Sequence, residues 1–379
     1  MLLSKGFEIE IYTGTPQGEI VGLSDKVVAA LNGFVREPDS RNVEYTTPPL
    51  YPYERLLCNL VRPRRQLRQY IQTLGDYTLI PGSTLSIGDS QHFYRSDPAN
   101  PYHDYIEQTY GTKVVTASVH INVGIDDMEQ LMRACRLIRV EAPLFLALSA
   151  ASPFLGGEVT GHHSSRWQVF PKTPAIVPLF RDHAHFIQWT EEQLDLGTMQ
   201  NVRHLWSSVR PNGDRRPYCL NRLELRICDL VIDPIALLAI TALLEARLIQ
   251  LLEQPNLDPL VLSQLSPDEL VELSDANELA AAHQSLDAEL RHWKDGSPIL
   301  ARDWIEQIYG EVEAIARQNG FKCFLSPLKK ILNEGNEAQR WLKQIQAGAT
   351  VEEVMQQAIR SVEEREAMLE REICSPLVA

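Results

Sequence analysis

The sequence predicts an α+β protein, with a sheet-rich part over about residues 1–233 and a mainly helical part over about 234–379, read as one continuous catalytic unit. Three observations carry this. Apolar and polar residues alternate with period two near residues 7–11, 42–47, 114–124 and 222–227, as half-buried strands require. From 234 onward apolar residues recur at helical spacing instead, with Leu237, Leu238, Leu244 and Leu248 in one stripe. No internal repeat or low-complexity linker divides the 379 residues, which suit one large or two interlocked cores.

Composition narrows the function classes. With 44% hydrophobic and 23% charged residues the chain reads as globular. A formal charge of -14 and a pI near 5.2 argue against nucleic acid or an anionic membrane as partner, while leaving room for a local basic cluster that holds a small anion. No early segment combines a charged start, an apolar run and a small-residue cleavage site. The longest apolar runs, 143–151 and 234–244, are too short or interrupted to span a bilayer, so the expectation is a cytoplasmic protein. Cys58, Cys135, Cys219, Cys228, Cys323 and Cys374 form no CxxC pair; they are expected to be mostly small core residues, without a zinc site or a disulfide framework.

Taken in order, Phe7, Ile9 and Ile11 alternate with Glu8 and Glu10, so a first strand projects two carboxylates. It is either an edge or solvated strand or the bearer of two metal ligands, because charges at a central strand need cations. Residues 23–31 suit a short helix. A strand over 42–47, stopped by Pro48 and Pro49, sets Asn42, Glu44 and Thr46 against Val43 and Tyr45. Residues 52–75 read as a helix with Leu56, Leu57, Leu60, Leu67 and Ile71 buried. Its Arg62, Arg64, Arg65 and Arg68 read as a solvated face, the alternative being an acidic partner segment. A strand over 77–80 feeds the loop PGSTLSIGD, whose Ser83 and Thr84 could shape a pocket; it is no phosphate-binding P-loop, since GxxxxGK[ST] is lacking.

Residues 114–124 then place Thr116, Ser118, His120 and Asn122 on one face of a strand. His and Asn among small hydroxyls suit a lined cavity, although an internally bonded polar face would read the same way. Residues 127–151 have helical spacing, and Pro143 is expected to kink or restart that helix. The Gly-, Ser- and His-rich loop that follows is a ligand-site candidate; its adjacent His162 and His163 point apart and make poor shared metal ligands. A helix over 183–195 and an irregular stretch over 197–219 lead to a strand in which Arg222, Glu224 and Arg226 share a face. Helices are predicted over 234–253, 267–273, 275–292, 298–318, 324–333, 335–345 and 350–370, the last acidic and partly exposed.

Four strand carboxylates, Glu8, Glu10, Glu44 and Glu224, converging with His120 would repel one another without divalent cations. Their oxygens suit Mg²⁺, with Mn²⁺ also compatible, and the nearby arginines suit a phosphate-bearing ligand such as ATP, or a carboxylate. No GxSxG, HExxH or HxE…PCxxC pattern supports a serine hydrolase, a zinc peptidase or a zinc deaminase.

The phrases GFEIEIY, RNVEYTTPP, PGSTLSIGD, YGTKVVTASVHINVG, SAASPFLGG with HHSSRW, NRLELRICD and SPLKKILNEGNEAQRWL cover most of the chain in order. Together they resemble the glutamate–cysteine ligase family of cyanobacterial type, within the carboxylate–amine ligase group. That resemblance implies a curved, mostly antiparallel sheet surrounded by helices and related to glutamine synthetase. It implies ATP and Mg²⁺, with glutamate and cysteine joined through a γ-glutamyl phosphate to give γ-glutamylcysteine, ADP and phosphate. It assigns Glu8, Glu10, Glu44, His120 and Glu224 to metal, and Arg226, Arg222 and Arg166 to phosphate or substrate carboxylate. Thr116 and Asn122 would orient ligand or water, with Ser83 and Thr84 beside the cofactor, and His120 would serve as a cation ligand rather than a catalytic base. Two alternatives stand beside it: a related ligase joining glutamate to another amine, and a non-catalytic Mg-nucleotide-binding protein.

Overall fold

In the computed structural model, which describes residues 2–374, the strands are β1 (Lys5–Gly14), β2 (Phe34–Arg36), β3 (Asn42–Thr46), β4 (Thr78–Ile80) and β5 (Val119–Gly124), a short hairpin of β6 (Phe154–Leu155) and β7 (Glu158–Val159), then β8 (Val209–Asn212) and β9 (Arg222–Leu225). Seven of them form one sheet in the order β2-β3-β1-β5-β9-β8, with β4 also paired to β1, and every pairing is antiparallel. β1 is central because it is long enough to pair on both edges. Tyr12 faces Asn42 of β3 on one side and Ile80 of β4 on the other.

Alternation sorts the two faces. Phe7, Ile9, Ile11, Val119, Ile121, Val123, Leu223 and Leu225 are all buried in the core, where the helix Met128–Ser149 packs against β8, β9 and the helices Pro234–Glu253 and Pro267–Gln284. Each such aliphatic side chain removed from water contributes about 1.5–3 kcal/mol. The opposite face carries the ionisable row.

Several expectations change. The strand expected over 114–124 is regular only from Val119; Gly111–Val114 is a 3₁₀ turn. Pro143 neither ends nor restarts its helix, which runs unbroken from Met128 to Ser149. Nearly every residue of that helix from Leu131 onward is buried, so tertiary packing outweighs the one backbone hydrogen bond a proline forfeits. The stretch expected to be irregular contains β8, whose Pro211 is tolerated because β8 lies at the sheet edge. The two helices expected over 267–292 are one, Pro267–Gln284, followed by a small hairpin of Glu289–Arg291 with Pro298–Leu300.

The arginines of the helix Tyr53–Gln72 are the largest correction. Arg64 and Arg68 are fully buried. Arg68 Nη2 donates to Glu366 Oε2 at 2.9 Å, Arg64 Nε to Tyr45 Oη at 2.9 Å, and Arg65 Nε to Glu370 Oε2 at 2.9 Å. The acidic C-terminal helix Val351–Leu369 and the turn after it are thus the partner segment for Arg64, Arg65 and Arg68, while Arg62 is exposed as expected. Nearby, Cys58 and Cys374 form a disulfide across 316 residues, which the spacing did not indicate; of the other cysteines Cys135 and Cys228 are buried in the core as expected, whereas Cys219 and Cys323 are exposed. The helix Pro234–Glu253 extends the apolar run beyond 244 and is long and apolar enough to cross a membrane, but 83% of its most apolar window is buried inside the fold.

Candidate active site

Strand register assembles the site. Glu8 of β1 faces His120 of β5, Asn122 of β5 faces Glu224 of β9, Glu10 of β1 faces Glu44 of β3, and Arg210 of β8 faces Glu224. Directly opposed residues on antiparallel strands lie within side-chain reach, so five strands deliver one ionisable row.

The row resolves into two groups. In the first, ligand atoms of Glu8, His120 and Glu224 lie within 4.8 Å of one another. His120 Nδ1 sits 3.0 Å from Glu8 Oε2 and 3.6 Å from Glu224 Oε1, and Asn122 Nδ2 donates to Glu8 Oε1 at 3.1 Å. Glu224 is fully buried and accepts from Arg210 Nε at 2.7 Å, Asn212 Nδ2 at 2.6 Å and Arg226 Nη1 at 2.5 Å. Burial opposes its ionisation, but Arg210, Arg226 and His120 outweigh burial and hold the carboxyl well below the usual range. At Glu8, burial and the Glu224 charge push upward, and His120 with Arg226 reverse the balance to leave it lowered.

The second group is Glu10, Glu37 and Glu44, also within 4.8 Å. It has fewer cations. Burial, then Glu44 and Glu10, raise Glu37 well above its ordinary value; burial, with Glu10 and Glu8, pushes Glu44 up to about 6 although a hydrogen bond from Glu37 opposes this. Ser118 Oγ bridges the groups, donating to Glu10 Oε2 at 2.7 Å and lying 3.1 Å from His120 Nε2. All the oxygen donors are hard, and His120 is compatible with them, so the residues present fit Mg²⁺ or Mn²⁺.

A cavity opens on either side of this row. One, of about 360 Å³, is lined by Glu10, Glu37, Thr116, His120, Arg166 and Arg226, and by an aromatic wall that includes Phe170 and Trp206, whose rings lie 5.3 Å apart. The other, of about 450 Å³, is lined by Gly6, Glu8, Thr47, Asn122, Gly124 and Arg222.

A family model described as glutamate–cysteine ligase family 2 matches residues 4–365. The chain belongs to glutamate–cysteine ligase family 2. A Sorangium cellulosum protein assigned as a glutamate–cysteine ligase 2 is 30% identical over 229 residues, spanning 59% of this chain and 58% of that relative. A Solibacter usitatus protein assigned likewise is 26% identical over 309 residues, 79% of this chain and 77% of the relative. In fold, the chain is similar to the glutamate–cysteine ligase of Francisella tularensis crystallised with AMP, with a TM-score of 0.73 at 13% identity, covering 100% of this chain and 96% of that one. A bifunctional glutathione synthetase from Pasteurella multocida matches with the same TM-score of 0.73 at 15% identity, over 98% of this chain and 53% of that one. These likenesses show an α+β fold with a central sheet and surrounding helices.

Within this family-2 fold the expected site residues fall into five sets. Glu8, His120 and Glu224 come together, while Glu10 and Glu44 join a separate group with Glu37. Arg166 and Arg226 line one cavity with Thr116, and Arg222 lines the other with Asn122, whose Oδ1 accepts from Arg222 Nε at 3.2 Å. Ser83 and Thr84 stand apart from the cofactor role expected of them. They line neither cavity; Ser83 Oγ accepts the Leu230 N–H at 2.6 Å and Thr84 Oγ1 donates to the Phe154 carbonyl at 2.6 Å, so both tie loops together. Sequence reasoning passed over Glu37, Arg210 and Asn212. The alternation of Val209 and Pro211 with Arg210 and Asn212 was available as a signal for the last two; Glu37 follows a three-residue strand with too few positions to show a period.

Proposed function

We propose that this protein is an ATP-dependent ligase joining the γ-carboxylate of glutamate to the amine of cysteine, on a curved sheet of the glutamine-synthetase kind and as a single cytoplasmic catalytic unit of the cyanobacterial type. The observation that carries the reading is the placement of two carboxylate groups, Glu8–His120–Glu224 and Glu10–Glu37–Glu44, as a wall between two cavities. A wall of hard anionic ligands between two chambers suits a reaction in which a phosphoryl group passes from a nucleotide to a carboxylate.

Glu8, His120 and Glu224 would hold one divalent ion, and Glu10, Glu37 and Glu44 another. When bound, Mg²⁺ supplies positive charge against the phosphate oxygens. The chamber of Gly6, Gly124 and Arg222 suits the nucleotide, since glycines let backbone approach closely. The chamber of Arg166 and Arg226 suits the amino acids. Arg166 Nε is buried without a partner, which favours a ligand carboxylate there. Arg226 reaches both Glu224 and the neighbourhood of His120, 3.4 Å from Nδ1, where it can stabilise charge on the transferring phosphoryl group. Glutamate's γ-oxygen attacks the terminal phosphorus and ADP leaves; the amine nitrogen then attacks the acyl carbon, and phosphate leaves as the amine gives up a proton. The aromatic wall keeps bulk water from the acyl phosphate.

The test is ADP release from purified protein with Mg²⁺, ATP, glutamate and a panel of amines. Release that needs all components, with cysteine or 2-aminobutyrate as acceptor, supports the reading. If neither acceptor yields product, the cysteine assignment fails. Release with a different amine then marks a sister ligase, and tight nucleotide binding with no release under any acceptor marks a sensor.

A further inference from the structure

Asp229 lies three residues beyond Arg226 and is completely buried, yet it lines neither chamber. Its Oδ2 accepts the Ala151 N–H at 2.9 Å and the Ser152 hydroxyl at 2.7 Å; its Oδ1 accepts the Ser164 hydroxyl at 2.8 Å. Each of those hydroxyls in turn accepts a backbone N–H from the segment that carries Arg166. The Arg166 N–H reaches Ser152 Oγ at 3.2 Å, and the Trp167 N–H reaches Ser164 Oγ at 3.3 Å. Two relays therefore run from consecutive backbone amides, through a serine apiece, to the two oxygens of one carboxylate. A hydroxyl whose hydrogen is committed to an anion has its lone pairs turned toward the amide, which fixes the direction of both relays.

The guanidinium itself is placed differently. Arg166 Nη1 stands 3.8 Å from Asp229 Oδ1, beyond hydrogen-bond range, and donates to the Ile227 carbonyl at 3.1 Å, while Nη2 donates to the Arg226 carbonyl at 3.1 Å. Nε keeps no partner. The carboxylate lends its charge to a buried cation without consuming its donors, because its oxygens are already taken by Ser152, Ser164 and Ala151.

We propose that Asp229 is a positioning residue for substrate recognition. It holds the backbone of Arg166 through the Ser152 and Ser164 hydroxyls and balances the guanidinium charge from 3.8 Å, so that Arg166 meets a ligand carboxylate with a donor still free. The inference rests on the ligase reading insofar as it names the amino-acid substrate as what Arg166 meets. Asparagine cannot replace Asp229. With one acceptor oxygen and one NH₂ group it must turn a donor toward a serine, reversing that relay, and it removes the counter-charge.

The experiment is a double-mutant cycle of D229N with R166A, read as KM for glutamate and for ATP separately. D229N should raise KM for glutamate about tenfold or more and leave KM for ATP within about twofold. In the R166A background, D229N should move the glutamate KM no further. S152A and S164A, each removing one hydroxyl, should give intermediate increases and guard against a D229N variant that does not fold. A D229N effect that falls equally on both substrates, or that adds in full to R166A, makes Asp229 a general staple of the fold and overturns the proposal. Loss of glutamate-dependent ADP release in the wild type would instead refute the ligase reading. The positioning claim is then decided by crystal structures of the wild type and D229N: Arg166 displaced from the Ile227 and Arg226 carbonyls upholds it, and an unmoved Arg166 overturns it.

Discussion

Glu224 and Arg210 meet across the β8–β9 pair in a two-pronged contact, Nε to Oε2 at 2.7 Å and Nη2 to Oε1 at 3.1 Å, with both side chains buried. Burial and the neighbouring Arg226 pull the Arg210 guanidinium down to about 10, and Glu224 is the anion that keeps it charged. Glu224 thus has two tasks, one toward the proposed metal and one toward the fold. Glu224→Gln leaves a buried guanidinium without its counter-charge, which costs on the order of 3–5 kcal/mol. The expected results are a lower urea midpoint for the variant, a rise in wild-type Tm on adding Mg²⁺, and no such rise for the variant. A variant that keeps the wild-type Mg²⁺ response would remove Glu224 from the proposed ligand set.

Lys5 lies on β1 but points to the apolar face, opposite Glu8. Its Nζ donates to both oxygens of Glu245, at 2.9 and 2.8 Å, and Tyr53 Oη donates to the same carboxylate at 2.6 Å; Lys5 and Glu245 are fully buried. Lys5→Met strands the Glu245 charge and is expected to destabilise by about 3–5 kcal/mol, whereas Lys5→Met with Glu245→Leu should recover much of that loss. Urea unfolding of the two variants checks this. A single variant within about 0.5 kcal/mol of wild type would contradict it.

Glu337, at the start of the helix Glu337–Gln346, carries a carboxyl that burial pushes up to about 7 against the opposing pull of Arg340. Its Oε2 has no hydrogen-bond partner. The sign follows from proton linkage. Between the ordinary value of 4.5 and about 7 the folded state keeps a proton that the unfolded state releases, so stability falls as pH rises through that window and levels off above it. The loss amounts to at most about 3 kcal/mol. Glu337→Gln is therefore expected to be more stable than wild type at pH 8, with the difference shrinking toward zero as the pH drops to about 4.5. Melts of both proteins across that range decide it; a difference independent of pH would exclude this group as the cause.

The polar row on β1, β3, β5 and β9 was legible because strand alternation is a local, period-two property, and Glu8, Glu44, His120 and Glu224 each sit in such a run. That these residues would fall into two groups was not legible. It depends on register, on β1 pairing Glu8 with His120 but Glu10 with Glu44. Arg64 and Arg68 carried a misleading local signal, since a run of arginines on a helix is solvated unless something distant covers it, and Glu366 does so from 298 residues away. The restart expected at Pro143 does not occur for a related reason: a proline costs about 3 kcal/mol inside a helix, and a helix buried on nearly all sides can override that.

By itself, then, the sequence determined which residues could line a chamber: the period of each segment decides the face on which a side chain lies, and the residue types decide the chemistry that face can offer. Only the tertiary structure decided which of them meet. It brought Glu37 to Glu44, Arg210 to Glu224 and Asp229 to Ser152 and Ser164. Such contacts join segments whose separation along the chain says nothing of their distance in space, and they are set by strand register and helix packing over the whole core.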